Sequence, residues 1–237
     1  MRFRPLLWPT VFAVPVFAVL VALGVWQLER RAWKLDLIAT MQTRLAAPEV
    51  PVAALEVEAG KGRDVGYRPT VAEGAFDYAQ TLFWVGPGPH GEPGYHVLTP
   101  LIPASGPPVI VDRGFVPVER KDEVSRPQGT VTVRGIARMS QPGGLFTPPA
   151  EAKEHLVFTR DVPRMAQLMA LGAPAPFFIE ARPGAGEPTF PPVYPLAGQT
   201  QIQLRNEHLQ YALTWFGLAA TLLIVYLLYH RSRGRLG

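Results

Sequence analysis

The sequence predicts a membrane protein of the α+β class, with an N-terminal and a C-terminal transmembrane helix flanking an antiparallel β-rich extramembrane domain that carries a few short helices. Two uncharged runs carry the membrane part: Pro5–Leu28, 24 residues, and Leu209–Tyr229, 21 residues. Either is long enough to cross a bilayer as a helix. Between them, short runs of β-branched and aromatic residues alternate with Gly/Pro turns, and no βαβ pattern is present. The expected organisation is a cytoplasmic N-terminus (1–8), a first span (9–29), a periplasmic domain (30–208), a second span (209–229) and a basic cytoplasmic tail (230–237).

The first apolar run exceeds the usual length of a signal peptide, and Ala22-Leu23-Gly24 followed by bulky Trp26 is a poor cleavage site, so an uncleaved anchor is expected. No Ser-rich, Arg-rich presequence precedes it, which favours a bacterial inner-membrane chain over an imported mitochondrial one. The net charge of +4 comes from the ends, where Arg2, Arg4, Arg231, Arg233 and Arg235 are offset only by Glu29, while acids and bases balance in 30–208. The charge therefore reports topology and not a nucleic-acid surface. Basic residues at both termini place both on the cytoplasmic side and the long loop between the spans in the periplasm (or intermembrane space). Arg30, Arg31 and Lys34 make the first span ambiguous by itself; the second is clearer.

Past the first span, Trp33–Leu45 continues as an amphipathic helix until Pro48 stops it. Trp26 and Trp33 share a face with Arg30 and are most simply interfacial anchors. Residues 48–64, rich in Pro, Ala, Gly and Glu, read as a linker. Strands are expected at Tyr67–Phe76, Gln80–Val85, Tyr95–Ile102, Pro108–Val116, Thr130–Met139 and Phe177–Ala181, with turns at 86–89, 105–108 and 126–129. Asp161–Leu171 reads as a helix capped by Asp161, with Pro163 in its first turn and Gly172 past its end. Residues 183–200 form a Pro/Gly-rich loop.

The chain contains no cysteine, which excludes disulfides, thiolate metal sites and cysteine nucleophiles. It has no phosphate loop, no His-Glu-x-x-His pair and no Gly-x-Ser-x-Gly elbow, so no enzyme class is indicated. His90 and His96 flank a turn, but no third metal ligand accompanies them. His155 falls at the start of a short strand, and His230, among the tail arginines, reads as interfacial. His208 stands where the second span meets water, and two readings are open: a polar residue ending a helix, or a ligand held at that depth. At 100° per residue His208, Ala212, Trp215, Ala219, Leu222 and Tyr226 form one stripe with Tyr211 at its edge. Its alanines would let a flat ring or another helix approach closely.

Several blocks stand out: Leu23-Gly-Val-Trp-Gln-Leu-Glu-Arg-Arg-Ala-Trp-Lys-Leu35, Tyr67-Arg-Pro69, Val111-Asp-Arg-Gly-Phe-Val-Pro117 and Arg205-Asn-Glu-His-Leu-Gln-Tyr211. In this order, and with Gly74-Ala-Phe76, Thr99-Pro-Leu101, Val133-Arg-Gly135, Phe158-Thr-Arg-Asp161 and Gly198-Gln-Thr200, the chain closely resembles the Surfeit locus protein 1 (Shy1) family. The resemblance implies a non-enzymatic, membrane-anchored assembly factor for haem–copper cytochrome c oxidase. It would place or stabilise haem a in the catalytic subunit, which becomes the expected partner together with membrane lipid and, as a further possibility, the haem a synthesis enzyme. The histidine associated with haem a in bacterial members falls at His208, as an axial ligand to the iron. Around it Tyr211, Trp215 and Trp26 are candidate ring contacts, and Arg205, Arg30 and Arg31 candidate partners for the propionates, with lipid headgroups as the alternative for the arginines. Two departures from the family pattern stand out. The usual Val-Asn-Arg-Gly block reads Val111-Asp112-Arg113-Gly114, which is expected to be a mild surface change, and an aromatic-rich segment is reduced to His155–Phe158. Rival readings are a haem-independent scaffold holding an oxidase intermediate and, far behind, a tethered periplasmic enzyme.

Overall fold

The computed structural model describes residues 5–183, 193–198 and 206–235. It divides into a helical unit, Met1–Thr40 with Gln203–Gly237, and a sheet unit, Met41–Ile202. The predicted Arg205, and most of the 183–200 loop, lie outside the described residues.

The helical unit is an antiparallel pair. Helix α1 (Leu7–Leu45) contains the first apolar run and its amphipathic extension, and α4 (His208–Ser232) contains the second. Both are long and apolar enough to cross a membrane, and the expected spans 9–29 and 209–229 fall inside them. The seam uses small residues. Ala212 and Ala219 of α4 are 1% and 4% exposed, and a Cβ added to Gly24 of α1 would come within 2.5 Å of the Phe216 ring. Glycine is therefore what lets that ring seat against the α1 backbone.

Two polar clasps bracket this seam. At one end His208 Nδ1 lies 2.7 Å from Gln27 Oε1. At the other, the Leu6 N–H donates to His230 Nε2 (3.0 Å), His230 Nδ1 donates to the Tyr226 carbonyl (2.8 Å), and the Thr10 and Tyr226 hydroxyls share a 2.6 Å bond. His208 and His230 are 22 residues apart, about 33 Å along a helix and close to the ~30 Å of a hydrocarbon core. His230 is 0% exposed: its Nε2 takes the N–H at the start of the other helix, and its Nδ1 bonds a carbonyl one turn back in its own helix.

In the sheet unit, strands β1 (Val50–Pro51), β2 (Pro69–Phe76), β3 (Leu82–Pro87), β4 (Pro93–Ile102), β5 (Val109–Pro117), β6 (Thr130–Met139), β7 (Leu156–Val157) and β8 (Phe177–Ala181) pair in the order β1-β2-β6-β8-β5-β4-β3-β7. A further pairing of β2 with β4 returns the ladder to its start, so β2, β6, β8, β5 and β4 form a closed ring. Most pairings are antiparallel, as expected from the short strands and tight turns. The parallel pairs β1–β2, β3–β7 and β5–β8 were not anticipated, because they join strands that no hairpin connects. The presumed linker 48–64 also folds. Val50–Pro51 adds to β2, and Val52–Gly60 forms helix α2, whose Leu55 is buried in the core.

The two-residue period of each strand makes two cores. One face supplies Ala72, Leu101, Val109, Val111, Val133, Phe177 and Ile179, packed with Leu55. The other supplies Leu82, Leu98, Ile110 and Phe178, packed under helix α3 (Val162–Leu168). Helix α3 ends earlier than the predicted Leu171, and its cap is indirect. Asp161 makes no side-chain cap; its carboxylate accepts from the Ser140 hydroxyl, and that oxygen in turn accepts the Val162 N–H.

Candidate functional site

Gln27 determines the state of His208. Its Oε1 is an acceptor only, so His208 Nδ1 carries a proton, and in the neutral imidazole the lone pair is on Nε2. Among the described residues no hydrogen bond engages Nε2. A neighbouring acceptor that fixes the tautomer and aims the ring is the arrangement by which proteins orient metal-binding histidines. Close by, Asn206 Oδ1 is buried and has no hydrogen-bond partner among the described residues.

The other sequence-predicted residues divide by helix geometry. Arg31 follows Gln27 by one turn and lies about 40° from it around the axis, half-buried. Arg30 turns the other way, with its guanidinium 3.9 Å over the Trp33 ring. Trp26 is 52% exposed, consistent with an interfacial anchor. On α4, Trp215 is half-buried about 20° from His208 around the helix, whereas Tyr211 is 52% exposed. The alanine stripe is occupied by α1, so the close approach it permits is that of a helix.

The sheet unit carries a second assembly of named residues. Asp112 of β5 and Glu180 of β8 are register partners in a parallel pair, both buried. His96 Nδ1 lies 3.1 Å from Asp112 Oδ2, Arg160 Nη1 lies 3.5 Å from the same oxygen, and Arg138 Nη1 donates to Glu180 Oε2 at 2.8 Å. Arg160 stacks 4.2 Å from the Trp84 ring centroid, and Arg138 stands 4.8 Å from that of Tyr67. Burial pulls the Arg160 guanidinium below its usual pKa, while the charges of Asp112 and Glu180 oppose that pull. The expectation of a mild surface change at Asp112 is thus corrected: its side chain is fully buried, between two cationic or protonatable partners. His96 is committed to Asp112, and His90 is exposed in the turn between β3 and β4. Gly114, two residues on, has φ +124°, and a Cβ there would collide with the Leu196 carbonyl. Blocks that are short and separate in sequence (Tyr67-Arg-Pro69, Val111–Pro117 and Phe158–Asp161) meet around this cluster.

The model of the SURF1 family matches residues 14–220. The chain belongs to the SURF1 family. Surfeit locus protein 1 of Xenopus tropicalis is 33% identical over 219 residues, 84% of this chain and 68% of its own length. That of Homo sapiens is 33% identical over 228 residues, 87% of this chain and 72% of its own. A SURF1-like protein of Rickettsia felis is 27% identical over 220 residues, 91% of this chain and 94% of its own. SURF1 membership puts the chain among factors of cytochrome oxidase assembly, a family not known for catalysis. The match spans the whole sheet unit and the paired histidine–glutamine end of the helices.

Sequence reasoning missed Gln27, although it lies inside a family-like block, because its partner is 181 residues away in the chain. Glu180 and Arg138 were missed for the same reason. His96 was noticed for the wrong partner.

Proposed function

We propose that the chain assists cytochrome c oxidase assembly by holding haem a at the His208 end of its helix pair and passing it to the catalytic subunit. The observation that supports this most directly is the 2.7 Å bond to Gln27, which takes up Nδ1 and leaves Nε2 with no hydrogen-bond donor against it among the described residues. An iron ligand needs that lone pair. A single histidine offers one axial bond, which suits a carrier that must release its cargo better than a closed bis-histidine site. Arg31, one turn beyond Gln27, is the better propionate partner of the two neighbouring arginines, since Arg30 is stacked on Trp33. In this reading both termini are cytoplasmic, the sheet unit is periplasmic in a bacterial inner membrane, and the propionates face water while the apolar tail lies in lipid. The haem a synthesis enzyme is then the donor and the oxidase catalytic subunit the acceptor.

The test is haem a content, with its absorption spectrum, in protein purified from cells that make haem a. His208→Ala is expected to lose the bound haem. Gln27→Leu keeps the imidazole but not its orienting acceptor, and is expected to weaken retention by about 10- to 100-fold. Unchanged content and spectrum in His208→Ala would remove the histidine from this role. A haem-independent scaffold is the second reading, and the seam favours it: Gly24, Ala212 and Ala219 are spent on helix–helix packing. Co-purification with the oxidase subunit at full yield in His208→Ala would select that reading.

A further inference from the structure

The side-chain series that builds the first core along β5 runs Val109, Val111 and then Arg113, so a guanidinium follows two buried valines on one face. It enters the wall of a cavity of about 250 Å³ lined also by Phe76, Ser125, Arg134 and Arg182. Arg113 is 8% exposed. Its Nη2 donates to the Ser125 carbonyl at 2.6 Å, and its plane lies 4.9 Å from the Phe76 ring centroid and 5.3 Å from that of Tyr78. Its Nη1 is buried with no hydrogen-bond partner among the described residues. Among the described residues three arginines line this cavity and no carboxylate does. Arg134 is paired with Glu49 at 2.7 Å. Among the described residues no acid is paired with Arg113 or with Arg182.

Buried charges in proteins are normally paired. Here burial lowers the Arg113 pKa; the Tyr78 phenol opposes that, and the Arg126 charge adds to it. The position therefore lacks an anion. Thr132 also lines it, and Val111, Val133, Ala181 and Pro195 supply apolar wall. At this volume the cavity is below the usual range of cofactor and small-molecule pockets, about 300–1,000 Å³. One side chain or one chain end fits that size, and an arginine fork suits the planar geometry of a carboxylate.

We infer that the Arg113 cavity is a docking site for a peptide carboxylate, a chain end or acidic side chain next to an apolar residue, presented by the polypeptide that the sheet unit holds during assembly. This deepens the assembly reading by naming the chemistry of the partner. Its test uses neither haem nor oxidase, so the two can fail separately.

The full chain in detergent is titrated with N-acetylvaline, N-acetylvaline amide and inorganic phosphate, and binding is followed by ligand-observed NMR. N-acetylvaline is expected to bind at least tenfold more tightly than its amide and than phosphate. Arg113→Gln and Arg182→Gln are each expected to weaken it at least tenfold, with His208→Ala unchanged. Arg182 is exposed, so Arg182→Gln decides the matter if Arg113→Gln does not fold. Equal binding of the amide means the carboxylate is not read, and equal binding of phosphate means a general anion site. Either result overturns the inference, as does undiminished binding in Arg182→Gln.

Discussion

Asp112 follows three apolar residues, Val109–Val111, in a strand, where sequence alone gives no reason to bury a charge. Its carboxylate is tolerated there because His96 and Arg160 converge on one oxygen, and because Arg138 meets the neighbouring acid Glu180. Removing one member of such a group leaves the others buried without a partner, which costs more than the pair itself contributes. Asp112→Asn keeps the shape and removes the charge, so Arg160 loses its counter-ion. The expected loss is on the order of 1–3 kcal/mol, read as a lower thermal midpoint of the purified chain. The double variant Asp112→Asn, Arg160→Gln should lose less than the sum of the two single changes. Strict additivity would mean that the two groups do not interact. The alternation of β5 would have shown that Asp112 shares a face with Ile110. What it could not show is that His96, Arg160 and Glu180 arrive on that face from three other segments.

The long elements follow from local rules and were legible for that reason. Two uncharged runs become α1 and α4, and Thr130–Met139 and Phe177–Ala181 begin and end where their β-branched and aromatic residues do. Short elements without a period were not legible. Val50–Pro51 and Val52–Gly60 have the composition of a linker and are held by Leu55 entering the core, a tertiary contact. The end of α1 is fixed within the sheet unit by Arg44, whose Nη1 donates to Asp64 Oδ2 at 2.6 Å and to the Gly66 carbonyl at 3.2 Å. Burial pushes the Asp64 carboxyl up, but the Arg44 hydrogen bond, the Gly66 N–H and the Arg44 charge together hold it below the ordinary value. A carboxyl with a lower pKa folded than unfolded stabilises the fold fully above its unfolded value, near 3.9, and loses that contribution as pH falls through the folded value. The Asp64 side chain is 59% exposed, so solvent screens the pair. Asp64→Asn is expected to lower the midpoint by only about 1–3 °C at pH 7. The gap from the unmodified chain should narrow as pH falls below the unfolded value and close once Asp64 is protonated in the folded chain. A gap that persists at pH 2.5 would assign the effect to the Gly66 turn in place of the ion pair.

At the scale of the whole molecule, the absence of cysteine makes topology directly measurable. The His208–Gln27 and His230–Leu6 clasps lie about one hydrocarbon thickness apart, and each closes the same antiparallel pair. If both helices span, the chain returns to the side from which it left, the basic tail and the first residues share a compartment, and the loop between the spans occupies the other. Ser105, exposed in the turn between β4 and β5, and Ser232, the last residue of α4, report on the two sides. In spheroplasts of a bacterial host, Ser105→Cys is expected to react with a membrane-impermeant maleimide at once, and Ser232→Cys only after lysis. The reverse pattern would put the sheet unit in the cytoplasm. His208, one residue before the second apolar run, would then face the cytoplasm as well, and haem delivery from the periplasmic side would have no route to it. Labelling of both positions in intact spheroplasts would mean that the helices do not span as a pair, and the distance between the clasps would then need a cause other than the bilayer.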